Sequence, residues 1–367
     1  MSDFVINSET FALIMAGGKG TRFWPESTES KPKQYLSLLG EKSLLKQTID
    51  RLDGFAPCEN TFVVTVKDQE GLIKDNMKGR LPTQNVIFEP SGRNTAPCIL
   101  LSLAELLDRG ASPEDAVVIM PSDHVILNES GFKTTLEKAT HQAVKYDSIV
   151  VIGIQPHFPH TGYGYIEKGE KRGEEQLNLY KVRSFKEKPS KEKAIDYLKS
   201  GLYFWNAGLF ISKIGVLLEE FKTHANSSYS YFSEIQKLLK NRESIEKTYL
   251  KLQSQSIDYA VMEKSQRVMV VPAEFDWSDL GSWEALEEVL SPEDGNTLVK
   301  VEGHYVNEAE GNIVFAPGKF VSLVGVKDLV VVSNEKVLMV MPKSDSQKVK
   351  EIVDALKVRE EPYRELL

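Results

Sequence analysis

Apolar runs of near-uniform hydrophobicity punctuate the first half of the chain: FALIMA (Phe11 to Ala16), TFVVTV (Thr61 to Val66), AVVIMP (Ala116 to Pro121) and IVVIGI (Ile149 to Ile154). Runs that do not alternate with polar residues suit strands covered on both faces, as in a parallel sheet. The segments between them carry helical spacing. After Asn94, Pro97 suits a first helical turn, and Ile99, Leu100, Leu103, Leu106 and Leu107 share one face until Gly110 ends it. Alternating strands and helices predict an α/β domain with a Rossmann-like, mostly parallel sheet, whose ligands gather at the carboxyl ends of the strands.

Beyond Trp283 the pattern changes. The polar stretch SPEDGNT (Ser291 to Thr297) reads as a linker, and IVFA, VSLVGV, DLVVVS and KVLMVM follow as short strands with turns at PGK and SNEK. Ser344 then opens a capped helix with Val349, Ile352, Val353 and Leu356 on one side. The expected partition is a main domain over 1–288 and a short β-rich segment over 289–367 that ends in a helix. No hexapeptide repeat is read in this tail.

Composition narrows the function more than the fold. The 367 residues, 41% hydrophobic and 27% charged, are those of an ordinary globular protein with one large domain and a smaller one. A net charge of -8 argues against a general nucleic-acid binder, so basic residues near Lys33 call for a small anionic ligand. Cys58 and Cys98 are too few for a disulfide scaffold and lack metal-ligand spacing, which suits a reducing cytoplasm. The N-terminus MSDFVINSET is acidic before its short apolar run, and no stretch of about 18 apolar residues occurs. Neither export nor membrane insertion is expected.

The stretch ALIMAGGKGTRFWPESTESKPKQ (Ala12 to Gln34) carries the first candidate chemistry. Gly17, Gly18 and Gly20, directly after Ala16 and a buried strand, let backbone N–H groups approach an anion that a Cβ would hold away. Neither the Walker pattern nor the dinucleotide fingerprint fits, since Phe23 stands where the latter needs a small residue. Glycines after a strand are also compatible with a plain tight turn. Thr21, Arg22 and Lys33 favour the phosphate reading: the Arg22 fork spans two phosphate oxygens, and Lys33 adds a compact point charge stiffened by Pro32, whereas Lys31 reads as solvated.

At these residues the chain resembles the sugar-1-phosphate nucleotidylyltransferases, specifically the bacterial mannose-1-phosphate guanylyltransferases. The resemblance runs through GGKGTRFWP, PKQ, EPSGRNTAP (Glu89 to Pro97), PSDH (Pro121 to His124), TGYGYIE (Thr161 to Glu167), FKEKP (Phe185 to Pro189), WNAGLF (Trp205 to Phe210) and WSDLGSW (Trp277 to Trp283). It implies a GT-A-like nucleotidyltransferase domain that binds GTP and mannose 1-phosphate. In EPSGRNTAP, a carboxylate at Glu89 matches the two adjacent donors on the Watson–Crick edge of guanine, although a strand-end Glu is also compatible with capping or with pairing to Arg93. The resemblance favours a nucleotide-binding segment of Glu89, Ser91, Gly92, Arg93, Asn94 and Thr95.

The same resemblance, not spacing, brings together Asp123 and Asp279 as ligands of Mg²⁺, an ion that commonly takes one or two carboxylates plus phosphate oxygens. His124 beside Ser122 and Asp123 is no catalytic relay, because neighbours along a strand point to opposite faces; it is assigned to the sugar-phosphate site, where it orients a substrate. For the sugar phosphate, the resemblance implies Tyr163, Gly164 and Tyr165 of TGYGYIE, Glu187 for hydroxyls, Lys188 for the phosphate, and Asn206. Arg22, Lys33, Asp123 and Asp279 are the expected catalytic groups of a direct displacement at the α-phosphorus, which needs alignment and charge neutralisation and no protein nucleophile. Another sugar or base, and a silent nucleotide-sensing subunit, are the alternatives. Longer members carry a fused cupin-type isomerase domain for which this chain stops too soon, and its tail resembles the short segment of single-function members linked to dimerisation, which is compatible with a homodimer and leaves the oligomeric state open.

Overall fold

The computed structural model describes residues 9–18, 20–172 and 178–367; Lys19 of the glycine loop and the N-terminal residues before Glu9 lie outside them. By compactness the chain forms two units, and neither is contiguous in sequence. The first holds the chain up to Gly17 with Ile49–Pro121 and Asn128–Trp277, and the second holds Gly18–Thr48, Ser122–Leu127 and Ser278–Leu367.

Among the described residues, the first unit is built on nine strands: β1 (Thr10–Met15), β2 (Thr61–Val66), β3 (Val86–Glu89), β4 (Ala116–Pro121), β5 (Ile149–Ile154), β6 (Gly164–Arg172), β7 (Leu179–Glu187), β8 (Tyr203–Lys213) and β9 (Val268–Pro272). Their order is β3-β2-β1-β4-β8-β5-β9-β7-β6. The half containing β3, β2, β1 and β4 is parallel, as the apolar runs predict. The other half is mixed: β8 lies antiparallel between β4 and β5, β9 runs parallel to β5, and β6 and β7 form an antiparallel pair. Uniform apolar runs report burial on both faces, not strand direction, so the reversal at β8 leaves no mark in hydropathy. The helix Thr95–Asp108 buries Ile99, Leu100, Leu103 and Leu106, as its spacing predicts, in a core with Leu13, Val117, Ile119, Val151 and Val270. Each such side chain contributes roughly 1.5–3 kcal/mol on leaving water.

The second unit contains β10 (Thr297–Val299), β11 (Gly303–Asn307), β12 (Ile313–Phe315), β13 (Phe320–Val324), β14 (Leu329–Ser333) and β15 (Leu338–Pro342). These strands do not run as successive hairpins. β10, β12 and β14 stack in parallel, as do β11 and β13, so the chain winds in coils that place Thr297 beside Ile313 and Ile313 beside Val330. Only β15 folds back antiparallel on β14, through the turn at SNEK. Buried asparagines tie the coils together: Asn296 Oδ1 accepts from Asn312 N at 3.1 Å and Nδ2 at 2.8 Å, and Asn312 Oδ1 accepts from Leu329 N at 3.0 Å. A coil longer than six residues carries no hexapeptide period, but Gly295-Asn296 and Gly311-Asn312 mark its repeat.

An apolar cluster explains why Gly18–Thr48 belongs to this unit. Phe23, Trp24, Leu36 and Leu44 are buried with Leu280, Trp283, Ile313, Phe315 and Val330, and with Val349 and Val353 of the helix Val349–Lys357. The Phe23 and Trp283 rings lie 4.9 Å apart, and Trp283 Nε1 donates to the Trp24 carbonyl at 3.1 Å.

Candidate active site

In the second unit, the glycine loop enters a short 3-10 turn, Thr21–Phe23. Gly20 adopts φ 57°, and a Cβ there would collide with the side chain of Lys33, so both conformation and contact require glycine. The Gly18 carbonyl accepts from Gln34 Nε2 at 3.1 Å, and the Gly20 carbonyl accepts from Ser27 Oγ at 2.6 Å. Gln34, the last residue of PKQ, thus anchors the loop. Since a peptide unit is planar and trans, the Thr21 N–H points away from the Gly20 carbonyl that Ser27 holds.

Lys33 is 5% exposed, yet its ammonium is not stranded. It donates to Asp123 Oδ2 at 2.9 Å and to the Asp279 carbonyl at 2.6 Å, joining three distant segments. Burial pushes the Asp123 carboxyl up, but the charges of Lys33 and His124 and the Lys33 hydrogen bond outweigh it and hold its pKa below the ordinary value. About 34% of the Asp123 side chain remains exposed. The Asp279 carboxylate rests against Gly281, where a Cβ would come within 3.0 Å of Oδ1. Gly20, Thr21, Arg22, Lys33, Asp123, His124, Asp279 and Lys350 line one open cavity of about 390 Å³. Asp123 and Asp279, which spacing does not bring together, both line this cavity. His124, expected at the sugar phosphate, lines this cavity with Arg22 and Lys33. Lys31 is exposed, as expected.

In the first unit, Glu89 ends β3 and is 3% exposed. Its Oε1 accepts a hydrogen bond from the Tyr249 hydroxyl, and Cys98 adds a second hydrogen bond. Burial raises the Glu89 carboxyl more than these donors lower it, and the same burial and the Glu89 charge push the Tyr249 hydroxyl far up. The other oxygen, Oε2, faces Gly17, 3.3 Å from where a Cβ would be. Arg93 does not pair with Glu89; its Nε and Nη2 donate to the Leu252 carbonyl at 3.0 and 2.8 Å. Asn94 caps the following helix by accepting from Thr95 N, and Thr95 Oγ1 accepts from Ile257 N at 2.8 Å. Ser91 is half-buried and Gly92 exposed.

The residues assigned to the sugar phosphate converge at the ends of β6, β7 and β8. A Cβ at Gly164 would collide with Glu187 Oε2, and Lys188 Nζ lies 3.5 Å from Glu187 Oε1. Asn206 Nδ2 donates to Asp258 Oδ1 at 3.0 Å, while Asn206 Oδ1 accepts from Gly208 N. Burial first, then the charge of Asp258, raises the Glu187 carboxyl, and burial raises Asp258 as well. Tyr163 stacks on His160 at 3.7 Å with its edge toward Trp205 and Trp277. Tyr165 is fully buried and its hydroxyl donates to the His160 carbonyl at 2.8 Å, so it packs the strand and offers no surface to a sugar. Asp258, in a π-helical turn (Asp258–Met262), was missed from the sequence. An acid inside the apolar run SIDYAVM was the available signal, and π turns recur at functional sites.

A profile described as nucleotidyl transferase matches residues 11–293, and one described as MannoseP isomerase/GMP-like beta-helix domain matches 303–356. The chain belongs to the nucleotidyl transferase family. It is 35% identical over 95% of its length to mannose-1-phosphate guanylyltransferase 2 of Escherichia coli O157:H7, of which it covers 74%. It is 37% identical to a putative mannose-1-phosphate guanylyltransferase of Vibrio cholerae, with 96% of the chain and 76% of that protein covered. A solved structure described as a mannose-1-phosphate geranyltransferase from Thermus thermophilus superposes with a TM-score of 0.87, at 35% identity over 95% of this chain and all of that one. The second profile agrees with the parallel coils of β10–β14. No helix among the described residues is long and apolar enough to cross a membrane.

Proposed function

We propose that the chain forms GDP-mannose and diphosphate from GTP and mannose 1-phosphate. A phosphate oxygen of mannose 1-phosphate attacks the α-phosphorus of GTP, the new P–O bond forms, and the bond to the β-phosphate oxygen breaks to release diphosphate. The observation that carries this reading is the single cavity of Arg22, Lys33, Asp123 and Asp279. Family membership supplies the reaction class, and the relatives' names support the choice of sugar and base.

Each group has a task of positioning or charge neutralisation. Lys33, immobilised by two hydrogen bonds, holds a fixed positive charge beside the reacting phosphates, and Arg22 grips phosphate oxygens with its planar fork. His124 orients the phosphates next to Asp123. Glu89 accepts from guanine, Glu187 and Asn206 from sugar hydroxyls, and Lys188 pairs with the sugar phosphate; in this reading residues 1–288 carry the transfer. Among the described residues no group of three or more acidic, His or Cys side chains forms a metal cage. The two carboxylates on one open cavity, one of them cradled by Gly281, nevertheless fit Mg²⁺, which keeps waters and shares substrate oxygens. When bound, Mg²⁺ would neutralise charge that builds on the phosphates. Among the described residues the cavity lining includes no Ser or Cys, in keeping with direct displacement.

Diphosphate release should be measured across a panel of nucleoside triphosphates and sugar 1-phosphates. GTP with mannose 1-phosphate should be turned over fastest. A faster pair with another base or sugar would redirect the assignment, and no release with any pair would support the nucleotide-sensing alternative.

A further inference from the structure

The cavity of Lys33, Asp123 and Asp279 has a wall that comes from the β-rich tail. Lys350, in the first turn of the helix Val349–Lys357, lines it beside Arg22 and Gly281. Its place is fixed from beneath: Val349 and Val353 of the same helix are 0% and 3% exposed, in the cluster that contains Phe23, Leu280 and Trp283. The residues next to that cluster, Arg22 and Gly281, are themselves cavity residues.

Other lysines of the segment are engaged elsewhere. Lys343 pairs with Glu287, Lys348 with Asp345 and Lys357 with Asp354. Lys350 is exposed and has no ion-pair partner among the described residues. The lining charges give it a purpose. Arg22 and Lys33 are matched by Asp123 and Asp279, and Lys350 adds positive charge to the wall they share with His124, which favours a polyanion.

We infer that Lys350 is a phosphate-binding residue, whose ammonium pairs with the terminal phosphates of the nucleoside triphosphate and with the departing diphosphate. This rests on the reading of the cavity given above. It makes the tail part of the active site. The long, flexible stem suits a group that follows diphosphate outward, whereas the immobile Lys33 stays with the reacting centre.

The test is steady-state kinetics in both directions for the full chain, the wild type against Lys350→Ala, Lys350→Gln and Lys350→Arg, with Lys348→Ala as a control for loss of a nearby surface charge. Lys350→Ala and Lys350→Gln should raise the KM for diphosphate in the reverse reaction about tenfold or more, the scale of one hydrogen bond to a charged group. The KM for GTP should rise as well, and that for mannose 1-phosphate should not move. Lys350→Arg should retain most of the affinity, and Lys348→Ala should match the wild type. An active wild type whose Lys350→Ala and Lys350→Gln variants keep normal KM values for GTP and diphosphate overturns the role of Lys350 and leaves the cavity reading standing. A wild type that turns over no nucleotide overturns both.

Discussion

Glu89 shows how one carboxylate can be costly to bury and still worth keeping. Enclosed at 3% exposure, it accepts from Tyr249 and Cys98, and even so burial raises its pKa above the ordinary 4.5. A raised carboxyl binds its proton more tightly when folded, so its contribution to stability is full below 4.5 and is lost as pH rises through the folded pKa. Thermal midpoints of the wild type and Glu89→Gln, followed from about pH 4 upward, should therefore show the wild type losing stability relative to the variant. A difference that stays constant with pH would contradict this. Arg22, Lys33, Asp123 and Asp279 could be singled out because they stand in short motifs, Arg22 and Asp123 just after predicted strands. Their partners could not be. Tyr249 lies 160 residues from Glu89, Leu252 lies 159 from Arg93, and Asp258 lies 52 from Asn206, and no spacing rule reaches that far.

Elements divide along the same line. The boundaries of β2, β4 and β5 agree with the apolar runs, because burial on both faces writes itself directly into hydrophobicity. Direction and stacking do not. The reversal at β8 and the parallel coils of β10, β12 and β14 arise from pairings between distant segments, and the coils are specified by buried side-chain hydrogen bonds more than by apolar pattern. Asn312 is fully buried, bonds to Asn296, and receives the Leu329 N–H. Asn312→Ala should cost about 1–3 kcal/mol for each buried polar group left without a partner. Denaturant unfolding should report a loss in that range; unchanged stability would mean the asparagines are incidental to the coil.

At the scale of the whole molecule, the chain is interleaved. Segments around Lys33, Asp123 and Asp279 join the unit that contains the β-rich tail, because Phe23, Trp24 and Leu36 bury their apolar surface with Trp283, Phe315 and Val349. A contiguous split near residue 288 is natural for a sequence read in windows, since a window cannot see Phe23 meeting Trp283. The lining of the cavity that the proposed function uses, from Gly20 to Lys350, therefore lies within one unit. The central claim is that Lys33, Asp123 and Asp279 together handle phosphate charge and Mg²⁺ there. The most direct measurement is the rate of diphosphate release from GTP and mannose 1-phosphate over a Mg²⁺ titration, for the wild type, Lys33→Ala and Asp279→Asn, with folding verified. The account predicts a loss on the order of 10²-fold in turnover for Lys33→Ala, and a higher Mg²⁺ requirement for Asp279→Asn. Near-normal turnover in Lys33→Ala, together with an unchanged Mg²⁺ dependence in Asp279→Asn, would contradict it.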